Sequence, residues 1–218
     1  EVPMVARYLM QFDTDEIKDV INSKIGTKSY DVFLRNFIAT ARGMNQDTQI
    51  EFHPLAQAWN NGTGHYLDNP DVDNGASWAY SNFSGSGIWD LSGSLNGWAY
   101  TGSWTGSNED AEDAVGGGNW IFDTGSNQYA IHGYMSPSYV QGSSLKLPVT
   151  QSFGLRSVKD IVINVNDTID VWYNEAIPNY GFIAKLTGSA EFNKSKYFQP
   201  ILKYYSVDTN TIYPPQLE

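Results

Sequence analysis

The 218-residue chain contains no cysteine, so neither disulfides nor thiolate metal sites can hold it together. It is also poor in charge, at 17% against a usual value of about 25%. Positive charge is scarcest: 13 basic residues face 24 acidic ones, for a net charge of −11. So acidic a surface repels phosphate backbones, and nucleic acid is not an expected partner. No apolar run approaches the roughly 18 residues of a membrane span, so no membrane insertion is expected. The three histidines, His53, His65 and His132, form no HExxH pattern, and GxSxG, strand-borne GxGxxG and phosphate-loop motifs are missing too. The expectation is a protein that is not an enzyme, with its histidines in ordinary strand or loop positions.

What is present is apolar and aromatic. Hydrophobic residues make up 41% and aromatics 14%, alongside 20 glycines, a mixture that favours strands and loops over helices. Ala6, Tyr8, Met10 and Phe12 alternate with Arg7, Leu9, Gln11 and Asp13, the two-residue period of a strand with one buried face. Ile17, Val20, Ile21 and Ile25 then follow helical spacing, with Thr14 as the expected N-cap and Gly26 as the stop. Further strands are expected over Tyr30–Thr40, Thr48–Trp59, KDIVINV, GFIAKLT, Tyr197–Tyr205 and Thr211–Glu218, and regular patterning returns after Asn119 in WIFD, QYAIHGYM and SLKLPVT. DTIDVWYNEA reads as a second short helix, capped by Asn166 and burying Ile169 and Trp172. Asn179 and Gly181 mark the turn that follows. The fold class expected is all-β: a two-sheet antiparallel β-sandwich of jelly-roll type, with one or two short helices. Residues 1–218 are read as one domain with a loop-rich insertion at about 60–120. Both ends look cut, at EVPMVARYLMQFD and IYPPQLE, as though from a longer polypeptide.

The insertion holds five of the seven tryptophans: Trp78, Trp89, Trp98, Trp104 and Trp120. Loops this long without regular structure are commonly functional. Indole faces stack on the C–H faces of sugars while neighbouring amides and carboxylates bind the hydroxyls. Trp89 with Asp90, Asn96 with Trp98, and Trp104 fit that pattern as a carbohydrate platform. The same rings would equally anchor the loop to its own core, or form a socket for another protein. Trp59 and Trp172 are assigned to the core. The acids Asp90, Glu109, Asp110, Glu112 and Asp113 are close in sequence to these rings, but so acidic a chain places such pairs there by chance. In DNPDVDNG, Asn69, Asp71 and Asp73 offer oxygens at alternate positions, as the first half of an EF-hand loop does, so Ca²⁺ is the one candidate cofactor. Asn74 in place of the turn glycine and Tyr80 in place of the distal glutamate break the EF-hand match, and a turn held by Asx bonds serves the same residues.

Three stretches, ARYLMQFDTDEI, HPLAQAWNNGTG with GASWAY, and INVNDTIDVWYNEAIPNYGFIAKL, resemble the disaggregatase-related (DNRLRE-type) β-sandwich module in order and spacing. The segment Trp89–Trp120 looks expanded relative to it. NNGTGHYLDNP and KYYSVDTNTIYPPQLE are similar to virion structural proteins of tailed bacteriophages that carry this module. The resemblance implies a jelly-roll module of a tail, fibre or neck, located on the virion and present in many copies or as a homo-oligomer. Its implied partners are other virion structural proteins and, through the tryptophan loops, host-surface glycans; it implies no catalytic residue. The alternative is an accessory carbohydrate-binding module of a bacterial cell-surface or secreted protein.

Overall fold

The computed structural model describes residues 6–43, 47–64, 72, 74–77, 80–82, 87–89, 117–123, 129–131, 134–135, 145–187, 190–191, 200–209 and 211–218. Within them the chain is all-β, with antiparallel sheets and two short helices. Strand β1 (Tyr8–Met10) leads into α1 (Thr14–Asp19), which continues as a π-helical segment, Val20–Ile25. β2 (Phe33–Asn36), β3 (Ile38–Arg42) and β4 (Thr48–Pro54) follow, then β5 (Tyr80–Asn82) and β6 (Gly87–Ile88). After these come β7 (Ile121–Asp123), β8 (Tyr129–Ile131), β9 (Tyr134–Met135), β10 (Val149–Phe153) and β11 (Ile161–Asn164). Helix α2 (Asn166–Tyr173), β12 (Phe182–Leu186), β13 (Ile201–Tyr204) and β14 (Gln216–Leu217) complete the order.

One sheet runs β1-β12-β4-β10 and a second β11-β2-β14. Both feed one apolar core. Ile50 and Phe52 of β4, Phe182 and Ala184 of β12, Leu34 of β2, and Ile161 and Ile163 of β11 are all buried in it. Trp172 joins them from α2, its ring centroid 4.8 Å from that of Phe182. The two-residue alternation thus sends one face of each of these strands into the core.

Three local expectations shift. The span Tyr30–Thr40 is two strands, because β2 pairs with β11 and β14 while β3 pairs with β13. The Asp160 carboxylate accepts from Ile38 N at 2.8 Å where the chain changes sheets. The N-cap of α1 is Asp13, whose Oδ1 accepts from Asp15 N (2.7 Å) and Glu16 N (3.0 Å). Thr14 instead accepts from Asn179 Nδ2 at 3.0 Å, a tertiary bond that takes its hydroxyl away from capping. Asn166 is the first residue of α2 rather than its cap: its side chain accepts from Val32 N and donates to Asp31 Oδ1, tying the helix start to the strand before β2.

Candidate functional site

The site lies on the outer face of the four-stranded sheet. Inner positions of β1, β12 and β4 enter the main core, so Leu9, Ile183, Lys185, Glu51 and His53 point the other way. Register sets Lys185 opposite Glu51 and Ile183 opposite both Leu9 and His53. Such a face is normally wet. Here it is covered by a second, smaller core of Leu55, Trp89, Trp120 and Ile183, against which Leu9, Trp59, Ala76 and Tyr180 pack.

Beside this core lies a buried ionic chain. Arg7 Nε meets Glu191 Oε1 at 2.5 Å, and these side chains are 3% and 1% exposed. Glu191 Oε2 stands 3.4 Å from Lys185 Nζ, which also pairs with Glu51. His53 Nε2 approaches Glu51 Oε1 at 3.4 Å, and its Nδ1 lies 3.1 Å from Ile121 O. Burial pushes the Glu51 carboxyl up, but His53 and Lys185 outweigh it and hold the carboxyl below its ordinary value. The Arg7 guanidinium lies 5.0 Å from the Trp120 ring centroid and Lys185 Nζ lies 5.9 Å away, both within cation–π range. Arg7 Nη1 donates to Gly117 O at 2.8 Å. Two acidic and two basic side chains pair here, and with His53 they fasten the segment 117–121 to the sheet.

A cleft of about 400 Å³ opens at the edge of this second core, lined by Arg7, Leu9, Trp59, Asn61, Ser77 and Trp89 among others. Trp59 is half-buried, with its indole N–H donated to Tyr180 O at 2.9 Å. Asn61 is exposed, and its side chain makes no hydrogen bond within the described residues. The rim that presents it is preformed. Ala76 N donates to Asn60 O (2.7 Å), Gly62 N to Asn60 Oδ1 (2.8 Å) and Thr63 N to Asn74 Oδ1 (2.9 Å). Gly62 and Gly75 let the two loop arms touch: a Cβ on Gly75 would fall 2.5 Å from Asn61 O. The arrangement places a half-buried tryptophan, an exposed asparagine and a serine, whose hydroxyl accepts from Tyr80 N at 3.2 Å, around one concavity.

Two other cavities offer less. In the groove of about 410 Å³ under β13, Lys185 is held by glutamates, Tyr8 Oη accepts from Asn36, and Tyr204 donates to Lys159 O. In the one of about 350 Å³ beside α1, Asp13 caps the helix, Asp31 accepts from Asn164 and Asn166, and Glu218 pairs with Arg35.

Trp89, a candidate sugar platform, is not an exposed ring. It is 1% exposed and donates its N–H to Ser77 O at 2.9 Å, so it forms the back wall of the cleft and part of the second core. Trp120 is likewise buried, and Trp172 sits in the main core as expected. Trp59, expected in the core, is half-buried: it packs against the second core and also lines the cleft. Asp90, Asn96, Trp98 and Trp104 lie outside the described residues, as do the candidate calcium ligands Asn69, Asp71 and Asp73. His53 sits in β4, while His65 and His132 are outside the described residues. The residues missed are Asn61 and Ser77. For Asn61 the signal is the turn-rich NNGTG directly after Trp59; Ser77 carries none. Among the described residues, no helix is long and apolar enough to cross a membrane. No protein-family model, curated protein or solved structure matches this chain.

Proposed function

We propose that the chain is a non-catalytic β-sandwich module of a tailed-phage virion appendage that binds host-surface carbohydrate in the Trp59 cleft. The observation that carries the binding site is that Trp59, Asn61 and Ser77 line one preformed concavity of about 400 Å³. Sugar sites combine an aromatic surface with a few placed polar groups, and this cleft has both. The jelly-roll connectivity and the place on a virion rest on the sequence resemblance and belong to the same proposal. A single shallow site binds weakly, and many copies on one particle raise the avidity.

A glycan array probed with the multivalently displayed domain tests this reading. Binding is expected, and Trp59→Ala should weaken it about tenfold or more while the domain stays folded by circular dichroism. Absence of binding to any glycan by a folded sample overturns the carbohydrate reading.

A further inference from the structure

Resting on that reading, we infer that the Trp59 cleft takes a neutral sugar and rejects glycans whose bound residue carries a carboxylate, sulfate or phosphate. The cleft has one cationic side chain among its described lining residues, Arg7, and that charge is already matched. Its Nε bonds Glu191 at 2.5 Å, its Nη1 bonds Gly117 O at 2.8 Å, and its guanidinium lies against Trp120. With 3% of its side chain exposed, Arg7 keeps its guanidinium buried, with Nε and Nη1 both bonded within the protein.

An anionic sugar would therefore bring an uncompensated charge against a desolvated, neutralised wall. Burying a charge without a partner is far more costly than burying a hydrogen-bonded hydroxyl. Glu191 cannot release Arg7 to the ligand without itself being left buried and unpaired to that side. The field of the whole molecule acts in the same direction, since a net charge of −11 repels anions before contact. The polar groups left at the rim are the exposed Asn61 amide and the Ser77 hydroxyl, whose oxygen accepts from Tyr80 N at 3.2 Å; both types donate and accept, which suits sugar hydroxyls.

The experiment uses the multivalent domain against paired neutral polysaccharides and their uronate-bearing, sialylated or sulfated counterparts, at low and high sodium chloride. The expected result is a preference of about tenfold or more for the neutral member, unchanged by salt because no ion pair to the ligand forms. Asn61→Ala, on an exposed rim, should weaken that binding about fivefold, the loss of one neutral hydrogen bond. Binding that requires the acidic group, or that weakens steeply with salt, overturns this inference and leaves the carbohydrate reading standing. Neutral binding untouched by both Asn61→Ala and Trp59→Phe also overturns it, by placing the sugar elsewhere. Failure of both glycan classes to bind overturns the carbohydrate reading itself.

Discussion

Gly181 stands where three constraints meet, and no other residue satisfies them. Its φ is 85°, a Cβ would lie 2.0 Å from Met10 O and 2.9 Å from Gln11 Cα, and its own carbonyl accepts from Leu55 N at 2.8 Å. The turn is tightened by Asn179, whose Oδ1 accepts from Gly181 N (2.9 Å) while its Nδ2 donates to Phe12 O (2.9 Å). Gly181→Ala should therefore cost about 2 kcal/mol or more, the sum of a strained backbone and a forced shift of β1. Urea denaturation measures it, and a loss below about 0.5 kcal/mol would show that β1 moves freely to accommodate the methyl. The turn itself was legible from Asn179 and Gly181. That its tightness serves Met10, far away in sequence, was not, because residue spacing does not report which backbone comes close.

Between elements, the joint of β4 and β12 is where acid should act first. Glu51 faces Lys185 across the two strands, with His53 two residues along on the same face. Its carboxyl sits below the ordinary value of 4.5 despite burial, so the folded state favours its charged form. A group with a lowered folded pKa stabilises the fold above its unfolded value and loses that contribution as pH falls through the folded one. Urea midpoints should thus hold steady above about pH 5 and fall below it, and Glu51→Gln should flatten the part due to this group. A variant whose acid limb matches the parent's would assign the loss to other carboxylates. Alternation made the outward position of Glu51, His53 and Lys185 readable in the sequence. Their burial was not readable, because it depends on what covers that face. The helix ends teach the same lesson: both Asp13 and Thr14 can cap, and the partner that Thr14 finds in Asn179 decides between them.

At the scale of the molecule, the sheet β1-β12-β4-β10 separates two cores that share no buried residue among the described ones. The main one holds the sandwich together, and its strands were visible as period-two runs such as KDIVINV and GFIAKLT. The second is made by Leu55, Trp89, Trp120 and Ile183, and it joins segments that the sequence reads only as turns around isolated tryptophans. An indole in a Gly-Ser-Thr run carries no mark of its destination, which is why the sequence left Trp89 open between a sugar platform and a core anchor. The division has a measurable consequence. Trp120 pairs by a bridge with Leu55 and lies beside Arg7, Lys185 and His53, so Trp120→Ala removes the keystone of the second core alone. The cost should be about 3–5 kcal/mol within that core. Native-state hydrogen exchange resolves where it falls. The amides of Ala56, Asn60 and Ala76, bonded to Asn119, Ser81 and Asn60, should lose protection, while those of Leu34, Ile161 and Ile163 keep theirs. Equal loss at all six positions would mean that the two cores unfold as one unit. Protection unchanged at the first three would mean that the covering segment is held by its backbone bonds rather than by Trp120. Only under the expected outcome would the cleft at Trp59 be tunable without disturbing the sandwich that carries it.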